Sequence, residues 1–85
     1  MSRGSGLLNR FSERLKSLRE GKSLSQDKLG KELNVSRYAI YTYEKGKACP
    51  TVDGLIALAD YFDVSLDYLV GRSDDPTWRG PSEKP

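Results

Sequence analysis

The chain has 85 residues, a formal net charge of +2 and 36% hydrophobic residues. A chain of this length forms one small domain, and no stretch has the roughly 20 apolar residues that a membrane-spanning helix needs. The single cysteine, Cys49, allows no internal disulfide and favours a location in the reducing cytoplasm. There is no histidine, no pair of carboxylates beside a nucleophile and no glycine-rich phosphate loop. We therefore do not expect an enzyme, a metal site or a cofactor.

The charge is distributed unevenly along the chain. Residues 1–47 contain 11 Lys or Arg and 5 Asp or Glu, whereas residues 48–85 contain 3 and 7, so the two parts carry +6 and −4. A basic half favours a polyanionic partner, because neutralising phosphates supplies most of the non-specific affinity for DNA. Such a pattern is also found on ordinary solvated surfaces, so the charge needs support from the helical pattern.

The first predicted helix runs from about Asn9 to Glu20 and follows a flexible leader over residues 1–8. Its apolar residues recur at helical spacing on one face, at Phe11, Leu15 and Leu18. Gly21 is expected to end it. Residues 21–23 (GKS) then connect it to the next helix.

Residues 24–46 read as two short helices joined by a tight turn. Ser25 and Ser36 are placed as the N-caps of these helices, and Gly46 is placed to end the second one. Asn34 falls in the turn, where a left-handed backbone conformation is needed and asparagine tolerates it. So short a connection requires the two helices to cross steeply, as in a helix-turn-helix.

Two further residues bear on this turn. Gly30 falls in the middle of a helix, where glycine costs about 1 kcal/mol relative to alanine, so we expect the backbone of the neighbouring helix to approach it closely. Val35 lies at the corner between the helices and is expected to be buried there.

The second half of the chain predicts two more helices. Thr51 is the expected N-cap of a fourth helix that ends at Asp63, and Ser65 caps a short fifth helix. Residues 72–85 are polar and rich in proline and glycine, so we predict a mostly disordered tail. The sequence thus predicts an all-α domain over residues 9–71, with five helices around one core.

Residues from about Phe11 to Val70 resemble the small lambda-repressor-like, Cro-type (XRE) helix-turn-helix domains of bacteria and their phages. The matching elements are LREGKSLSQDKLGKELNVS, the helix that ends in YEKGKACP, and LIALADYFDVSLDYLV. The resemblance implies a five-helix domain in which helices 2 and 3 form the helix-turn-helix. It also implies binding to double-stranded DNA, usually as a homodimer that represses transcription at a palindromic operator.

The resemblance also assigns roles to individual residues. The base-contacting positions on the third helix would be Arg37, Tyr38 and Thr42. Residues expected to contact phosphates are Gln26, Lys45 and Lys47. A buried ion pair would join Arg19 to Glu44.

Side-chain chemistry adds to these assignments and leaves alternatives open. The Arg37 guanidinium can donate two parallel bonds to guanine, but it would serve equally on a phosphate. Tyr38 could meet a thymine methyl group or a phosphate. Ser25 and Gln26 together resemble a phosphate clamp, because the N–H groups at a helix N-terminus attract anions. Tyr41 lies off the core face, either along the DNA backbone or over the protein's own edge.

The leading interpretation is therefore a dimeric, sequence-specific transcriptional repressor. Candidate dimer residues on the last helix are Leu66, Tyr68 and Val70, and Trp78 in the tail is a candidate for docking on the partner subunit. One alternative is the antitoxin of a toxin–antitoxin pair, with the tail binding the toxin. Another is a protein-interaction module that kept the fold but lost DNA binding.

Overall fold

The structure is a computed structural model that describes residues 6–77, with side chains described from residue 9. Within that range it contains five α-helices and no β-strand, as the sequence predicts. The helices are α1 (Gly6–Gly21), α2 (Gln26–Leu33), α3 (Arg37–Glu44), α4 (Val52–Phe62) and α5 (Leu66–Leu69). No helix in this part of the chain has the length and apolar character required to cross a membrane.

The helix starts are set by local capping. Each of the four predicted N-cap hydroxyls accepts a hydrogen bond from the backbone N–H three residues later, over 3.0 to 3.1 Å. The capping residues are Ser25, Ser36, Thr51 and Ser65. Asn34 and Asp63 end α2 and α4 in the left-handed conformation, with φ of 61° and 57°. These predictions are confirmed, and a capping residue of this kind is typically worth about 1 kcal/mol.

One apolar core joins the five helices. Its buried members are Phe11, Leu15, Leu29, Ile40, Leu58, Ala59, Phe62, Val64 and Leu69. Helix α3 packs against both α1 and α2, and α5 packs against α1 and α4. Fully burying one such large apolar side chain contributes about 1.5–3 kcal/mol, so this cluster is the main source of stability and fixes α3 relative to α1 and α2.

The turn between α2 and α3 is compact. A Cβ atom on Gly30 would stand 2.7 Å from the Val35 carbonyl oxygen, so the predicted close approach of backbone is confirmed. The Val35 N–H also donates to the Gly30 carbonyl oxygen over 2.8 Å. The expectation that Val35 is buried is wrong, since 38% of it is exposed. Backbone contact through Gly30 stabilises the corner instead of a buried side chain.

The folded unit extends beyond both predicted boundaries. Helix α1 begins at Gly6, inside the stretch expected to be a flexible leader. At the other end, residues 72–77 (the C-terminal strap) are tied to the body of the domain. The Arg14 guanidinium donates to the Ser73 carbonyl oxygen and to Asp74, and the Ser65 N–H donates to the Pro76 carbonyl oxygen. Tertiary hydrogen bonds order this segment despite its polar composition.

Candidate DNA-binding surface

Helix α3 presents an exposed stripe of large side chains. Arg37 is exposed, Tyr38 is 71% exposed and Tyr41 is 38% exposed. The two tyrosine rings lie 6.0 Å apart between centroids, tilted by 31°. These three residues fall on neighbouring positions of the helix surface. The outer face of α3 is therefore open from Arg37 to Tyr41, as an element that enters a DNA groove must be.

Thr42 is not part of this stripe. It is only 9% exposed, and its hydroxyl donates to the Ala39 carbonyl oxygen over 2.8 Å. The family resemblance groups Thr42 with Arg37 and Tyr38 as a base-contacting position, but Thr42 does not lie on the exposed face that those two residues occupy. Because α3 packs against two other helices, its buried surface includes Thr42 as well as Ile40.

The ion pair expected between Arg19 and Glu44 is present. The guanidinium donates two bonds to the carboxylate, Nε to Oε2 over 2.6 Å and Nη2 to Oε1 over 3.0 Å. Their side chains are 12% and 4% exposed. Hydrogen bonding to the Glu44 carboxylate raises the pKa of Arg19 against the opposing effect of burial. The pair joins the end of α1 to the end of α3 and neutralises a carboxylate that would repel DNA.

Gln26 connects this ion pair to the start of α2. Its side-chain amide donates to Glu44 Oε1 over 3.1 Å. An amide nitrogen has two hydrogens, so the second N–H remains available for a phosphate. The Ser25 hydroxyl accepts the Lys28 N–H as the N-cap, and its own hydrogen is still able to donate. The glutamine is thus held in position at the exposed N-terminus of α2.

Two lysines flank the end of α3. Lys45 and Lys47 are exposed, and the Lys45 ammonium lies 5.7 Å from the centroid of the Tyr41 ring. Between them Gly46 adopts a φ of +74°, so it ends the helix in the left-handed conformation, as predicted. Both lysines border the open face of α3.

The candidate dimer residues Leu66, Tyr68 and Val70 are all half-buried. Leu66 and Tyr68 pack against the core, and the Arg14 guanidinium lies 3.9 Å over the Tyr68 ring. More exposed apolar side chains lie on α4, where Val52 is 67% and Ile56 is 44% exposed. Trp78 lies outside the described residues.

Sequence reasoning missed one basic residue of this surface. Lys16 lines a cleft of about 310 Å3 together with Arg19, Gln26, Tyr41, Glu44 and Lys45. Lys16 precedes Arg19 by three residues, so both lie on the same face of α1. That spacing was the available signal, because the expected ion pair already directed Arg19 towards α3.

Two short helices joined at the Gly30 contact, with an exposed second helix and cationic flanks, define a helix-turn-helix domain. Comparison with known sequences agrees. The profile described as "Helix-turn-helix" matches residues 15–69. The chain therefore belongs to the helix-turn-helix family, in agreement with the resemblance to XRE-type DNA-binding domains.

Relatives of known name are transcriptional regulators. The HTH-type transcriptional activator BcrR of Enterococcus faecalis is 42% identical over 64 residues, which are 75% of this chain and 31% of that protein. The cryptic phage CTXphi transcriptional repressor RstR of Vibrio cholerae is 32% identical over 63 residues, 74% of this chain and 56% of its own length. The chain spans 31% to 65% of the length of the first three curated relatives it matches.

Two solved structures share the fold. The restriction-modification controller protein C.AhdI of Aeromonas hydrophila superposes with a TM-score of 0.69 at 26% identity, covering 80% of this chain and 99% of that one. The SOS-response transcriptional repressor LexA of Eubacterium rectale gives a TM-score of 0.74 at 28% identity, covering 94% of this chain and 87% of that one.

Proposed function

We propose that this chain is a sequence-specific DNA-binding transcriptional repressor that places α3 in the major groove. The observation that supports this most is the open stripe of Arg37, Tyr38 and Tyr41, bordered by the exposed residues Lys45 and Lys47. Glu44, the carboxylate on the same helix, is 4% exposed and paired with Arg19. The surface thus offers donors and apolar edges to bases and positive charge to phosphates.

Base reading and phosphate binding would be divided between different residues. Arg37 lies in the first turn of α3, where a side chain can reach base edges, and its guanidinium suits the O6 and N7 atoms of guanine. Tyr38 offers an aromatic edge to a thymine methyl group. Ser25, Gln26, Tyr41, Lys45 and Lys47 would contact the backbone and set the position of α3. Phosphate contacts of this kind orient a protein on DNA, whereas base contacts provide specificity.

We further propose that two copies bind one palindromic operator. A single short recognition helix reads only a few base pairs, and a two-fold dimer doubles that number with half-sites about 34–36 Å apart. Leu66, Tyr68 and Val70 remain the candidate contacts between subunits, because each is partly accessible and apolar in character. Repression is the proposed outcome, since a domain that occupies an operator excludes other proteins from it.

Selection of bound duplexes from a random pool tests this proposal. We expect enrichment of a two-fold symmetric site, and a complex whose mass in sedimentation corresponds to two chains per duplex. With roughly 6–10 phosphate contacts per dimer, log K against log[salt] should have a slope of about −5 to −9. A pool without enrichment, together with no shift of any duplex in dilute buffer, would contradict the proposal and favour a protein-interaction module.

A further inference from the structure

We propose that the cleft between α1, the start of α2 and the end of α3 binds one DNA backbone phosphate, and that Lys16 is one of its ligands. This inference rests on the proposed function and names a contact that the sequence did not indicate. The cleft measures about 310 Å3, and three helices supply its walls. A phosphate oxygen entering it would meet groups from each of these helices.

The charge of the cleft suits an anion. Its lining includes three cationic groups, on Lys16, Arg19 and Lys45, and a single carboxylate, on Glu44, which leaves two net positive charges. Arg19 already holds the carboxylate through two hydrogen bonds, and only 4% of the Glu44 side chain is accessible. Solvent at the mouth of the cleft therefore faces the cations.

The two lysines of the cleft are available for a ligand. Ion pairs within residues 6–77 engage other cations, namely Arg14, Arg19, Lys28, Lys31 and Arg72. Lys16 and Lys45 are exposed and have no carboxylate partner in that range. Each is therefore free to exchange its hydration and counterions for a phosphate, which is the origin of salt-dependent affinity.

Neutral donors complete the site. Gln26 is oriented by its bond to Glu44 Oε1, and its second amide hydrogen is available to the cleft. Tyr41 lines the same cleft and carries a hydroxyl donor. Lys16 adds a charge from α1, an element outside the helix-turn-helix. A phosphate held there would connect all three helices and fix the depth of α3 in the groove.

The test compares Lys16→Ala with Lys22→Ala in duplex binding by the full chain at several salt concentrations. Lys22 is also exposed, and its ammonium lies 5.7 Å from the Tyr61 ring on α4, so its removal changes the net charge equally, away from the cleft. Lys16→Ala should weaken every duplex by about fivefold per half-site at 0.15 M salt, and should reduce the salt slope by about 0.9 for each phosphate lost. Lys16→Arg should restore both.

The outcomes separate this inference from the function on which it rests. If the wild-type chain binds duplexes and Lys16→Ala has the same affinity and slope as Lys22→Ala, the phosphate site is wrong and the function stands. If the wild-type chain binds no duplex, the function itself is wrong. Thermal melting of both variants should match the wild type, because both lysines are exposed; a lowered Tm for Lys16→Ala alone would assign it a structural role and overturn the proposal.

Discussion

The Val35 carbonyl oxygen occupies the space in which a side chain on Gly30 would begin, 2.7 Å from the position of a Cβ atom. The carbonyl carbon and carbonyl oxygen of Ser36 each lie 3.3 Å from the same Cβ position. All three atoms belong to the backbone that leads into α3, so none can move aside as a flexible side chain would. Gly30 thus sets the distance between α2 and the start of the recognition helix.

Replacing Gly30 with alanine should destabilise the domain by up to about 2 kcal/mol. Forcing a methyl group against fixed backbone typically costs 1–3 kcal/mol of stability. The higher helix propensity of alanine offsets about 1 kcal/mol of that cost. Urea unfolding followed by circular dichroism measures the change. Gly21→Ala is the matched control, because no atom lies within 4 Å of its Cβ position. If both variants have the same urea midpoint of unfolding, the close contact at Gly30 does not contribute to stability.

Removal of the Glu44 carboxylate should destabilise the domain by about 3 kcal/mol. Glu44→Ala leaves the Arg19 guanidinium, 12% exposed, without its partner, and loss of one member of a buried pair typically costs 3–5 kcal/mol. DNA affinity should fall as well, since Gln26 loses its anchor. Chemical denaturation and gel shift provide the two readouts.

Two comparison variants show whether the effect of Glu44→Ala comes from the unpaired Arg19 guanidinium. The double variant Arg19→Met, Glu44→Leu should recover most of the stability, because apolar side chains can replace a buried ion pair at little cost. Glu32→Ala breaks the exposed pair with Lys28, whose nearest atoms are 3.5 Å apart, and should cost less than about 0.5 kcal/mol. Unchanged stability and binding in Glu44→Ala would refute the proposed role of the pair.

Arg14 should be needed to hold the C-terminal strap against the domain. Its guanidinium stacks 3.9 Å over the Tyr68 ring and donates to the carbonyl oxygens of Tyr68 and Ser73. Hydrogen bonds from a charged group and the ring contact together suggest a loss of about 2 kcal/mol for Arg14→Ala. Hydrogen exchange should accelerate at the Ser65 N–H, which donates to the strap.

The exposed Arg72 is the control for Arg14. Its nearest contact with Asp67 is 3.8 Å, and both side chains are more than 60% exposed. Arg72→Ala should therefore change the unfolding midpoint very little. Equal effects of the two substitutions would mean that the strap contributes nothing through Arg14.

Alanine substitutions at Arg37 and at Lys47 should have different effects on DNA binding. Arg37→Ala should relax base preference at one position of each half-site, with a loss of discrimination of about 1–3 kcal/mol. Lys47→Ala should weaken all sequences alike and lower the salt slope. Binding to a panel of single-base operator variants distinguishes the two. A uniform loss for both variants would show that Arg37 contacts phosphate.

Thr42→Val should leave base preference unchanged. The Thr42 hydroxyl already donates to the Ala39 carbonyl oxygen, and the residue is 9% exposed, so it does not reach the outer face of α3. The isosteric valine retains the packing and removes only this local bond. A changed consensus in duplex selection would return Thr42 to the set of base-reading residues.

Much of the fold could be predicted because its signals are local in the chain. An N-cap bond joins a side-chain hydroxyl to the backbone N–H three residues later, so it depends on only four consecutive residues. For this reason the N-caps Ser25, Ser36 and Thr51 could be predicted from the sequence. The left-handed conformation of Asn34 likewise follows from the chemistry of one residue in a tight turn. The ion pair of Arg19 with Glu44 was anticipated through family resemblance.

Only the tertiary structure decided which flanks of the helices are covered and which groups meet across them. Periodicity defines the centre of a buried stripe but not its width, so it could not reveal that Thr42 is almost fully buried on a helix that packs against both α1 and α2, or that Val35 stays exposed. The order of residues 72–77 depends on Arg14, some 60 positions earlier in the chain. The cleft at Lys16 exists because α1, α2 and α3 converge there, and convergence of distant segments is set by packing of the whole core.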